Sequence, residues 1–173
     1  MKKNIITLLL TFALCIFLII PAAGAQTREG VIYLEGMEET IEETLFESPD
    51  GYSFWYANEC LEAYNGTAGD VQGAVVVNPY SDDYMIISVI TEEEAQEHLS
   101  RYSADIPEGS AASPLQIELY LELEDAQFSF CTLITDDGRY LRAAGQYSLE
   151  AAEGTAKYFQ QVLDSVAFSE AGD

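Results

Sequence analysis

The stretch from Leu115 to Glu124 alternates between two kinds of residue. Leu115, Ile117, Leu119, Leu121 and Leu123 are set against Gln116, Glu118, Tyr120, Glu122 and Glu124. A period of two marks a β-strand with one dry face and one wet face. At about 3.4 Å per residue such a strand runs ~34 Å, the span of a small domain, so the rest of the chain is expected to pack around its sheet. All five apolar residues are expected to point inward.

The flanking segments supply more extended structure than helix. From Val31 to Glu47, Tyr33, Met37, Ile41 and Leu45 recur at every fourth position, and Gly36, Thr40 and Thr44 tip the segment toward a strand pair or one long bent strand. The turn chemistry of Ser48-Pro49-Asp50-Gly51 ends it. Tyr52-Ser53-Phe54-Trp55-Tyr56, aromatic on both faces, reads as a central strand. Asn65-Gly66, Gly69 and Gly73 predict an irregular surface loop from Asn58 to Gly73, with a short helical turn near Leu61 to Tyr64. Gly73 to Asn78 and Tyr84 to Thr91 form a hairpin around Pro79-Tyr80-Ser81-Asp82-Asp83.

Thr91 followed by Glu94 is a capping box that opens a helix ending near Tyr102, and Ser103 to Pro114 reads as a loop. After the alternating strand, Gln127 to Thr135 and Tyr140 to Tyr147 flank Asp136-Asp137-Gly138-Arg139. This is a second hairpin, in which Gly138 supplies the positive φ that the turn needs. Ser148 is expected to cap a last helix carrying Ala152, Ala156, Phe159, Leu163 and Val166. The order of elements predicts an α+β fold, an antiparallel β-sheet with flanking helices including a C-terminal helix.

Lys2 and Lys3 precede an apolar run from Ile5 to Ile20, and Pro21 breaks it before Ala23-Gly24-Ala25. This has the form of a secretory signal peptide, residues 1–25, whose apolar run is shorter than the roughly 20 residues a spanning helix needs; an uncleaved anchor is the alternative. Residues 26–173 then make one exported domain with no membrane association in the mature form. Cleavage removes two of the seven basic residues and none of the thirty acidic ones, so a chain of net charge −23 becomes more acidic still. Such a field repels phosphate backbones and anionic lipids, excluding nucleic acid; it serves solubility outside the cell or, as the sharper alternative, a cationic partner or metal ions.

The remaining thiols, Cys60 and Cys131, are candidates for one disulfide, with Cys131 alternatively a buried core residue. Nucleophilic catalysis lacks a base: the single histidine, His98, sits among glutamates, and no Gly-x-Ser-x-Gly elbow occurs. One histidine and two distant cysteines give no zinc cluster, and no motif implies a cofactor. Two acidic alternatives stand beside a non-enzymatic reading. Glu122 and Glu124, two apart on one strand, sit at a spacing that a carboxylate-based hydrolase could use. The turn aspartates Asp82-Asp83 and Asp136-Asp137 carry the oxygen type of a calcium-stabilised surface module. Among the many aromatics, Trp55, Tyr80 and Tyr84 are the candidates for an exposed binding patch.

Ser48-Pro49-Asp50-Gly51-Tyr52-Ser53-Phe54 and the closing Leu163-Asp164-Ser165-Val166-Ala167-Phe168 together resemble the opening strand and final segment of PsbP-like α/β/α sandwich domains. That resemblance implies a binding or assembly accessory rather than an enzyme, with an unknown protein or other ligand as partner, and it assigns no functional residue.

Overall fold

The computed structural model describes residues 25–34, 36–106, 113–151 and 154–169. Apart from Ala25, the expected leader lies outside them, as do Ala152 and residues 107–112 of the expected loop. In chain order the elements are β1 (Thr27–Leu34), β2 (Met37–Ser48), β3 (Tyr52–Ala57), β4 (Glu62–Ala68), β5 (Val71–Val77) and β6 (Tyr84–Ile90). Then follow helix α1 (Glu92–Tyr102), β7 (Leu115–Glu124), β8 (Gln127–Asp136), β9 (Arg139–Ser148), a 3₁₀ turn (Leu149–Ala151), α2 (Thr155–Asp164) and β10 (Ala167–Phe168). A four-stranded sheet has the order β1-β2-β3-β10 and a six-stranded sheet the order β4-β5-β6-β9-β8-β7, with every pair antiparallel.

The α+β expectation is therefore corrected. Strand accounts for 58% of the described residues and helix for 18%, so the fold is predominantly β with a C-terminal helix. Much of the difference comes from Asn58 to Gly73, which is no loop: Glu62 to Ala68 pairs along its whole length with Val71 to Val77. Asn65-Gly66 sits mid-strand, where the Tyr64 ring covers the space that a Cβ on Gly66 would fill. Gly73 lies against the Ile87 carbonyl, too close for any side chain. These glycines serve close approach rather than turning. A second correction concerns Ser148: its hydroxyl accepts from the Ala151 N–H and caps the 3₁₀ turn, while Gly154 stands at the N-terminus of α2.

Two hydrophobic clusters occupy opposite faces of the six-stranded sheet. Phe159, Val162 and Leu163 of α2 join Tyr52 and Phe54 of β3 over one face, against Val76, Met85, Ile87, Ile134 and Leu141. Ala95 and Leu99 of α1 cover the other, against Ile117, Leu119, Cys131 and Leu133. Fully burying each large side chain is worth about 1.5–3 kcal/mol. Helix α1 opens as its sequence dictates, with the Thr91 hydroxyl accepting from the Glu94 N–H and the Glu94 carboxylate accepting from the Thr91 N–H.

The alternating strand has its predicted bounds but not its predicted faces. A bulge breaks the β7–β8 register between Glu118 and Tyr120. Beyond it, Tyr120 turns to the α1 face and meets Tyr102, while Leu121 pairs with Phe130 on the α2 face. Leu121 and Leu123 are consequently exposed at the edge of the sheet rather than buried. A one-residue insertion inverts every later side chain, because the strand period is two.

Candidate functional site

The chain folds back from β1 to β2 so that Leu34 pairs with Met37, and counting outward from that pair sets Arg28 opposite Glu43. The next register, β2 with β3, places Leu45 opposite Trp55 and Glu43 opposite Ala57, so Glu43 and Trp55 are diagonal neighbours on one face. The end of α2 closes the other side. The Trp55 N–H donates to the Ser165 hydroxyl oxygen at 2.8 Å, a tie spanning 110 positions of sequence. Between these elements lies a cleft of about 420 Å³ lined by Arg28, Glu29, Gly30, Val31, Glu43, Trp55, Gln161, Asp164 and Ser165.

Glu43 is 1% exposed, and Arg28 Nε donates to its Oε2 at 2.6 Å. The Arg28 guanidinium also lies over the indole of Trp55, 4.3 Å from the ring centroid, a cation–π contact. The second carboxylate oxygen, Glu43 Oε1, is buried without a hydrogen-bond partner, and so is Gln161 Oε1. Glu43 occupies its place because residue 30 is glycine: a Cβ there would sit 2.6 Å from the Glu43 carboxyl carbon. A buried carboxylate with one oxygen unpaired is held at a cost of kcal/mol order, and a donor reaching that oxygen relieves it. With Glu29, Glu43 and Asp164 against the one charge of Arg28, the lining is rich in acceptors and poor in donors.

Of the candidate aromatics, only Trp55 enters this cleft. Tyr80 stands 85% exposed in the β5–β6 turn, its N–H bonded to Asn78 Oδ1, and Tyr84 opens β6 half-buried, so the three are not gathered into one patch. Cys60 and Cys131 are both free thiols and are not brought together: Cys60 packs on the α2-side core and Cys131 in the α1-side cluster. Burial pushes the Cys131 thiol up to about 11.

The acidic candidates are also dispersed. Asp83 is buried and its Oδ1 accepts the Ser148 N–H at 2.9 Å, which makes it a staple between the β5–β6 turn and the end of β9. Its Oδ2 is buried without a partner, but among the described residues no cleft with an aromatic face stands with it as in the Glu43 cleft. Asp136 is engaged by the Ser113 hydroxyl and by Arg139. Among the described residues no three carboxylate, histidine or cysteine side chains converge as a metal site. Glu122 and Glu124 are exposed at the sheet edge. No described helix is long and apolar enough to cross a membrane.

The chain matches no known protein family and no curated protein. Its candidate site rests on geometry alone.

Nothing in the sequence singles out Arg28 and Glu43, because a lone Arg-Glu pair 15 positions apart carries no motif. One signal is nonetheless present. Basic residues are scarce in this chain, and a hairpin turning near Gly36 puts one of them directly across from a glutamate.

Proposed function

We propose that residues 26–173 form an exported, non-enzymatic binding domain that takes a cationic nitrogen group of its partner in the Arg28–Glu43–Trp55 cleft. The observation that carries this reading is Glu43, a buried carboxylate with one oxygen unpaired beside an aromatic face and a second unpaired acceptor, Gln161 Oε1. Apart from Arg28, such a lining lacks what a cation brings, namely positive charge and N–H donors. The net charge of −23 adds a long-range field that raises the local concentration of cationic partners and weakens with salt. A binding or assembly role is also what the PsbP-like resemblance implies.

Trp55 is the only tryptophan in the chain, so its emission reports on the cleft directly. Titration with a short cationic peptide at low ionic strength is expected to change that emission saturably. An anionic peptide of the same length should not, and Glu43→Gln should remove the response. A flat titration with every cationic probe, or an undiminished response in a folded Glu43→Gln variant, would overturn the reading.

A further inference from the structure

We infer that Arg28 is a resident stand-in for the ligand, and that the group the cleft takes is a guanidinium which displaces Arg28 from Glu43 and Trp55. This rests on the binding reading above and adds both the chemistry of the group and how the site is kept closed.

Arg28 shows what fits. A planar guanidinium lies 4.3 Å from the indole centroid while one of its N–H groups reaches a carboxylate oxygen at 2.6 Å. The fit is incomplete, because Arg28 meets Glu43 by Nε alone and leaves Oε1 unpaired. Its backbone sits directly across from Glu43 on the neighbouring strand, which brings the side chain in from the side. A guanidinium arriving end-on presents its fork to both oxygens, and it has further donors for the unpaired Gln161 Oε1 that lines the same cleft. An alkylammonium carries the charge but neither the fork nor the flat face that stacks on tryptophan.

Arg28 is also placed to leave. It stands on β1, the outermost strand of its sheet, and 46% of its side chain is exposed. Swinging outward returns it to water but leaves the buried Glu43 carboxylate uncompensated, so Arg28 leaves readily only when another cation takes its place. Glu43, 1% exposed, stays where it is and exchanges one cation for another. The site is thus closed by an intramolecular competitor, and the apparent affinity for ligand is lowered by the fraction of time that Arg28 is out.

The test compares residues 26–173 with their Arg28→Gln variant, titrating each with agmatine, cadaverine and an acetylated arginine tripeptide while following Trp55 emission. Agmatine should saturate the unaltered protein, and Arg28→Gln should bind it about tenfold more tightly, the factor expected if Arg28 fills the site nine-tenths of the time. Cadaverine should be several-fold weaker on both. A tripeptide tighter than agmatine identifies an arginine on a partner protein as the source, and equal affinity identifies a free guanidinium compound; either supports the inference. Agmatine binding that is unchanged or weaker in Arg28→Gln, or cadaverine equal to agmatine, overturns it while leaving Glu43-dependent cation binding intact. No binding of any cationic probe by either folded protein overturns both. Should the glutamine variant be unstable, Arg28→Lys keeps the charge beside Glu43 and is expected to give the same ranking.

Discussion

The Tyr52 hydroxyl donates to the Ile87 carbonyl at 2.7 Å and accepts from the Ala74 N–H at 3.2 Å, so a side chain of the four-stranded sheet stands where β5 and β6 part. Ala74 and Ile87 are the last pair in the β5–β6 register. Burial is the main cause that raises the Tyr52 pKa above its ordinary 10.0, which keeps the hydroxyl a donor. Tyr52→Phe preserves the ring and leaves a buried N–H and carbonyl short of partners. The expected loss is about 1–3 kcal/mol, read as a lower urea midpoint with unchanged slope.

The bulge in β7 makes two leucines of one alternating run behave differently. Leu119 is 8% exposed in the α1-side cluster, whereas Leu121 is 48% exposed. Leu119→Glu should cost several kcal/mol, comparable with a typical domain's whole margin. Leu121→Glu should shift stability by no more than about 0.5 kcal/mol. Equal denaturation midpoints would contradict the inverted register.

Gly30 holds open the space that Glu43 fills. Gly30→Ala places a methyl group where the carboxylate now lies, so Glu43 must turn away and Arg28 loses its seat on Trp55. Overpacking of this kind costs about 1–3 kcal/mol. The specific sign is a shifted Trp55 emission with greater quenching by acrylamide, and unchanged emission would count against the geometry of the cleft.

His98 should titrate below its ordinary value of 6.5. Burial lowers it first, then the charges of Arg142 and Arg101, against the opposing pull of Glu97 and Glu94. A depressed histidine pKa means that the unfolded chain takes up the proton more readily than the folded one. Its contribution to stability is complete above pH 6.5 and is lost as pH falls through the lower folded value. As the chain has one histidine, a single ring-proton NMR titration reads that midpoint, and a value at or above 6.5 would refute the assignment. His98→Gln should flatten the stability profile in the same window.

The two thiols should differ in reactivity. Cys131 is buried with its pKa pushed up to about 11, so little thiolate forms at neutral pH, whereas Cys60 is half-buried. Maleimide should label Cys60 first in the native protein and both after unfolding. An intact mass lighter by two hydrogen atoms than the free-thiol form would instead reveal a bond between them.

Features made by neighbours along the chain are legible in the sequence itself. The Thr91–Glu94 capping box, the turn at Asp136-Asp137-Gly138-Arg139 and the bounds of β7 each need only a few adjacent residues, because caps, turns and strand periodicity are short-range geometry. Sequence reasoning fails where distant segments supply the deciding contact. Asn65-Gly66 has the composition of a turn, and pairing with Val71 to Val77 makes it strand. The leucine run has the pattern of one continuous dry face, and pairing with β8 absorbs an extra residue at Glu118 to Tyr120. The cleft belongs wholly to the second kind. Arg28, Glu43, Trp55 and Ser165 come from four separate places in the chain, and what makes Glu43 notable, burial with an oxygen unpaired in the lining of an aromatic cleft, depends on which surfaces close over it. Sequence by itself determined charge, periodicity and local turns; only the tertiary structure decided which carboxylates, Glu43 and Asp83, would be removed from water, since desolvation depends on everything that surrounds a group.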